Sequence, residues 1–106
     1  MQNMDIDVKE LKEKLDKGED FVLIDVREPY EHEDFNVGGD LIPLGQITAA
    51  MEDLEDHKED EIVVYCRSGR RSGIAKELMQ QVGFKNVRNL EGGMVAWAEA
   101  FGTQKK

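Results

Sequence analysis

A single cysteine, Cys66, stands in the stretch "VVYCRSGRRSG", and Arg67, Arg70 and Arg71 follow it within five positions. A thiol is a weak nucleophile at neutral pH, whereas a thiolate is a strong one. Three features of this stretch favour the thiolate. The arginines supply positive charge. Ser68 and Gly69 permit a tight curl whose backbone N–H groups can point inward at the sulfur, making a nest for an anion. A helix starting near Ser72 offers the positive end of its dipole. Together these would hold a thiolate, a persulfide or a bound oxyanion. Neither histidine, His32 or His57, neighbours the cysteine, so a protease-like Cys/His pair is not expected. The plainer reading makes Cys66 a small buried hydrophobe at a strand end, with the arginines as solvated surface. The strand–loop–helix context and the glycine favour the anion site.

The elements that must carry this loop can be read from the hydrophobic pattern. Asp7 with Glu10 resembles a capping box, and "VKELKEKLDKG" places Val8, Leu11 and Leu15 at helical spacing before Gly18. "FVLID", residues 21–25, is a short apolar run ending in a charge, as buried parallel strands do. "EPYEHEDF" reads as a short helix with Pro29 in its first turn. "NVGGDLIPLG" reads as an irregular loop with a brief extended segment at Leu41 and Ile42. "QITAAMEDLEDH" has Ile47, Ala50, Met51 and Leu54 on one face of an amphipathic helix. "EIVVYC" is the clearest buried strand. "SGIAKELMQQVGF" predicts a helix with Ile74, Ala75, Leu78, Met79 and Val82 inward, stopping near Gly83. "NVRNL" is a short strand, and "GGMVAWAEAFG" a closing helix whose Met94, Trp97 and Phe101 read as core. Alternating strands and helices imply an α/β fold: a small parallel β-sheet flanked by helices on both faces, with right-handed crossovers. In such sheets ligands bind at the carboxyl ends of strands. Cys66 follows the strand Ile62–Tyr65 directly, so the fold argument puts the thiol where a site belongs.

Composition narrows the function classes. A chain of 106 residues, read as a single domain over 1–106, is 40% apolar and 35% charged, with a net charge of −9. That acidity argues against a general affinity for nucleic acid or an anionic membrane. No run is apolar and long enough to span a bilayer, and "MQNMDIDVKE" lacks the basic and apolar stretches of a signal peptide. One cysteine makes neither an internal disulfide nor a C-x-x-C redox pair, so a reducing compartment, most simply the cytoplasm, is expected. His32 and His57 lie in charged stretches and read as surface residues rather than metal ligands. No metal or organic cofactor is implied.

Four stretches then resemble, in order, the motifs of rhodanese-type sulfurtransferases. "CRSGRRS" resembles the C-R-x-G-x-R active-site loop. "VLIDVREPYEHEDF" resembles the hydrophobic-D-V-R-x-x-x-E stretch, "LIPL" the segment after it, and "NVRNLEGGMVAW" the L-x-G-G-x-x-x-W signature. The resemblance implies the rhodanese-like fold. It implies that Cys66 carries the transferred sulfur as a persulfide, and that the backbone amides from Arg67 through Ser68, Gly69 and Arg70 to Arg71 cradle it. Arg67 and Arg71 match positions that bind an anionic donor such as thiosulfate. The acceptor would be cyanide or a thiol, including a protein thiol. Asp25 and Arg27 match the D-x-R pair, and the spacing of Arg27 to Glu31 suits an ion pair that sets loop packing. Gly92, Gly93 and Trp97 match a packing signature whose small residues let the last helix approach the sheet. Many members carry G-H-I-P-G-A before the I-P segment. This chain has "FNVGGDLIPL", about one residue shorter, with Asn36 near the histidine position, a departure that bears on loop shape and partner surface.

Two other functions compete. A cysteine phosphatase or arsenate reductase also uses a cysteine-centred anion loop, but with arginine six residues after the cysteine. Here that position is Ser72, and Arg71 lies five after, so the shorter loop suits a single sulfur or small anion. The other alternative is a non-catalytic binding or sulfur-carrier module of the same fold. Such modules often lose the cysteine, which this chain keeps.

Overall fold

The computed structural model describes residues 5–103. Helix α1 spans Val8–Lys17, strand β1 Val22–Asp25, α2 Pro29–Asp34 and β2 Asp40–Leu41. A short α3, Ile47–Ala50, is followed by β3, Glu61–Tyr65, then α4, Arg70–Gln81, β4, Asn86–Asn89, and α5, Gly93–Phe101. The sheet order is β2-β1-β3-β4, and every pairing is parallel. Asp7 caps α1 by accepting the Glu10 N–H at 2.8 Å, and Gly18 closes it in the left-handed conformation.

Strand β3 lies in the middle of the sheet and is buried from both sides. Its period-two alternation divides the core into two layers. Ile62, Val64 and Cys66 face one layer, with Ile24, Ile47, Met51, Ala75, Met79 and Val87. Val63 and Tyr65 face the other, with Ile6, Leu11, Leu23, Leu90 and Met94. Cys66 therefore continues the parity of the strand and turns toward the α4 side.

Several elements differ from the sequence pattern. The expected helix over 46–57 is α-helical only through Ala50 and tightens into a 3₁₀ run over Met51–His57. Its apolar side chains still turn inward, Ile47, Met51 and Leu54 all being buried. Helix α4 begins at Arg70, two residues earlier than expected. Ile74 and Val82, assigned to its inner face, are exposed, while Ala75 and Met79 are buried. Pattern alone misplaced these two because α4 covers the sheet with a narrow stripe. Trp97 is partly buried against the second layer and meets Phe101 edge-on at 4.8 Å. Among the described residues no helix is long and apolar enough to cross a membrane.

Candidate active site

The site lies where β1, β3 and β4 end. Cys66 follows β3, and the loop from Arg67 to Gly69 curls back over its sulfur before α4 begins. The curl requires a left-handed residue at Gly69, where φ is +99°, a conformation that a side chain disfavours. The Gly69 N–H then donates to Cys66 Sγ at 3.1 Å. From the first turn of α4 the Ser72 N–H donates at 3.4 Å and the Ser72 hydroxyl lies 3.3 Å from the sulfur. Burial alone pushes the Cys66 thiol up, as it does any group that must ionise. The Ser72 hydroxyl, then the amides of Ser72, Gly69 and Ser68, outweigh it and leave the thiol below its ordinary value.

The loop is also held from beneath. Gly92 and Gly93 open α5 with positive φ, and a Cβ at Gly93 would collide with the carbonyl oxygens of Cys66 and Arg67. With none there, the first turn of α5 comes close enough for Met94 N–H to reach the Cys66 carbonyl and Val95 N–H the Arg67 carbonyl, both at 2.9 Å. The double glycine thus packs helix to sheet, as the sequence implied, and specifically anchors the two residues that begin the loop.

The three arginines divide into two kinds. Arg71 makes a bidentate pair with Glu31, at 2.8 and 2.9 Å, joining α2 to α4. The Arg71 guanidinium holds the Glu31 carboxyl down at about 2. Arg67 and Arg70 are exposed, and among the described residues neither has an ion-pair partner. They are the loop's uncommitted cations.

This arrangement corrects the pairing read from the sequence. Arg27 does not pair with Glu31. It turns back onto Asp25, with Nε at 2.9 Å and Nη2 at 2.8 Å from the carboxylate. Its Nη2 also donates to the Phe35 carbonyl. A helical i,i+4 pair requires both residues on the helix, and Arg27 lies two residues before α2 starts. His32, expected at the surface, sends Nδ1 to Asp25 Oδ2 at 2.8 Å. Asp25 is fully buried. Burial pushes its carboxyl up, but the bonds from Arg27 and His32 bring it below the usual range. Across the strand pair, Tyr65 donates its hydroxyl to the Gly38 carbonyl at 2.8 Å. Asn36 shapes the departing loop by accepting the Gly38 N–H at 2.8 Å.

All the residues singled out from sequence, Cys66 and Arg67 to Arg71, lie in one place. Two participants were missed. The sequence pattern marks Ser72 as a helix start and as the position six after Cys66, not as a partner of the sulfur, yet its side chain is fully buried beside it. Its position in the first turn of α4 was the available signal. Asn89, on the neighbouring strand, donates Nδ2 to the Gly69 carbonyl at 3.0 Å. No local pattern marks it, because only the β3–β4 register, Val64 opposite Asn89, brings it there.

A four-stranded parallel sheet whose carboxyl edge carries a cysteine ringed by N–H and O–H donors defines an α/β protein with a cysteine-centred loop. Comparison with known proteins makes the assignment finer. Residues 7–100 match the rhodanese-like domain, and the chain belongs to that family. It is 41% identical to a putative sulfurtransferase of Bacillus subtilis, YtwF, with 92% of each chain covered. It is 38% identical to the putative sulfur carrier protein YrkF of the same organism, covering 88% of this chain but only half of that protein. Among solved structures, the human single-domain sulfurtransferase TSTD1 superposes with a TM-score of 0.76 at 26% identity, covering 90% of this chain and 95% of that one.

Proposed function

We propose that this protein is a sulfurtransferase that carries sulfane sulfur on Cys66. The observation that carries the reading is the convergence of two amides and one hydroxyl on Cys66 Sγ. Such preorganised donors stabilise an anionic sulfur without reorganisation during the reaction. In the first half-reaction the Cys66 thiolate attacks the outer sulfur of an anionic donor such as thiosulfate. Arg67 and Arg70, the exposed cations, meet that donor. Arg71, committed to Glu31, holds the loop in shape. In the second half-reaction a nucleophile, cyanide or a thiol, takes the outer sulfur and regenerates the thiolate. Residues 1–106 act as one domain in this reading, and the chemistry suits a reducing compartment, where the thiol stays free.

The test is intact mass after incubation with thiosulfate. One added sulfur, removed by cyanide with release of thiocyanate, is the expected result. An unchanged mass sinks the reading. Fast discharge to a protein thiol with slow discharge to cyanide would favour the carrier form of the same chemistry.

A further inference from the structure

We propose that Asn89 is a positioning residue that acts through Ser72, taking up the Ser72 hydroxyl when negative charge leaves Cys66 Sγ. The inference rests on the sulfurtransferase reading for its purpose, but its geometry is independent of any donor.

The Ser72 hydroxyl has one hydrogen and two acceptors. Cys66 Sγ lies 3.3 Å away, and Asn89 Oδ1 is also within hydrogen-bond distance. A hydroxyl can donate to only one of them at a time. The identity of the Asn89 atom is settled by its other end. Nδ2 must be the group facing the Gly69 carbonyl, since an oxygen there would meet another acceptor, so Oδ1 faces Ser72. Ser72 is fully buried, which leaves its hydroxyl no free access to bulk water. The hydroxyl therefore follows the charge. Toward a thiolate it turns to sulfur, because hydrogen bonds to ionised acceptors are the stronger ones. Toward a neutral sulfur it turns to Asn89.

Sulfur uptake produces that change. A lone pair of Cys66 Sγ forms a bond to the donor's outer sulfur. The donor's own S–S bond breaks, and sulfite departs with its electron pair. Sγ becomes neutral: the charge it gives up leaves with sulfite, and the outer sulfur of the persulfide keeps the negative charge it carried in the donor. Sγ is then a poor acceptor, and without Asn89 the buried Ser72 hydroxyl would lose its best partner as the reaction advances. Asn89 Oδ1 replaces it, which favours the product side of the step.

Asn89 also anchors Gly69, so its removal alone would mix two effects. A double-mutant cycle separates them: wild type, Asn89→Leu, Ser72→Ala and the double variant. Anchor loss is common to both backgrounds, while hydroxyl sharing exists only where Ser72 is present. The surrounding charges, Arg67, Arg70, Arg71 with Glu31 from α2, and Asp5 at the Asn89 N–H, are the same in all four proteins. The readouts are the midpoint of Cys66 alkylation against pH and the rate of sulfur uptake from thiosulfate above that midpoint. With Ser72 present, Asn89→Leu should move the midpoint lower, by about one pH unit, relative to its effect in the Ser72→Ala background. Uptake should fall by about tenfold more with Ser72 present than without it. Should the leucine variant not fold, Asn89→Ala completes the same cycle. If the wild type takes up no sulfur, the sulfurtransferase reading fails while the titration still decides the role of Asn89. Equal midpoint shifts in the two backgrounds would show that Asn89 only anchors Gly69, and would overturn the proposal.

Discussion

At the scale of single residues, the candidate site depends on how one sulfur is solvated. Cys66 is almost completely buried, and a buried thiol without partners would stay protonated. Its hydrogen bonds reverse that tendency, the Ser72 hydroxyl foremost. Ser72→Ala should therefore raise the midpoint of Cys66 alkylation toward or above the ordinary cysteine value, with a smaller thiolate fraction at neutral pH. An unchanged midpoint would mean that the amides suffice alone. Cys66→Ser is expected to abolish thiocyanate formation from thiosulfate and cyanide while leaving the circular dichroism spectrum and melting cooperative. Residual turnover by a well-folded Cys66→Ser protein would rule out the persulfide at this position.

At the scale of elements, two ion pairs hold the rim of the site, and they differ in kind. Arg27 and Asp25 are both buried and join the end of β1 to the carbonyl of Phe35 after α2. Arg27→Ala would leave Asp25 its hydrogen bond with the His32 ring but no guanidinium partner. Loss of one partner of a buried pair costs about 3–5 kcal/mol, so a lower melting temperature is expected, with near-normal turnover well below it. Turnover lost with an unchanged melt would instead make Arg27 part of the chemistry. The Glu31–Arg71 pair is more exposed and ties α2 to the start of α4. Glu31 has its carboxyl lowered from 4.5 to about 2 in the folded protein. Its stabilising contribution is thus complete above about pH 4.5 and is lost as pH falls toward 2. The stability difference between wild type and Glu31→Gln should accordingly shrink over that window; a constant difference would mean the charge pair is not its source. These pairings also mark where the sequence was legible. The loop and the strands were readable because local spacing and burial period dictate them, and the double glycine was readable through the family resemblance. The partners of Arg27, Arg71, His32 and Ser72 were not. They depend on where α2 starts and on strand register, which set contacts between residues as far apart as Glu31 and Arg71.

At the scale of the whole molecule, a body of charge −9 repels an anionic donor at a distance. In the proposed function the exposed Arg67 and Arg70 place positive charge at the mouth of the site and oppose that repulsion. The family resemblance implies donor contact at Arg67 and Arg71, which leaves Arg70 for steering. Because Arg71 pairs with Glu31, the proposed function gives Arg67 and Arg70 to the donor instead. Arg70→Gln should lower the second-order rate with thiosulfate modestly, and the deficit should shrink as salt is raised. Arg67→Gln, next to the sulfur, should cost more and respond less to salt. Equal losses at both positions, independent of salt, would refute the steering role.

The burial of Cys66 Sγ beneath its own loop has a further consequence, for regiochemistry. A persulfide offers an incoming nucleophile two electrophilic sulfurs. Attack on the inner one would expel hydrosulfide and leave the enzyme trapped as a mixed disulfide or thiocyanate adduct. Here the inner sulfur is almost completely buried, packed under Gly69 and Ser72, and in the proposed cycle the added sulfur is the more accessible of the two. In the proposed cycle steric shielding then directs an acceptor to the outer atom, and the same groups that lower the thiol's pKa keep the protein from that dead end.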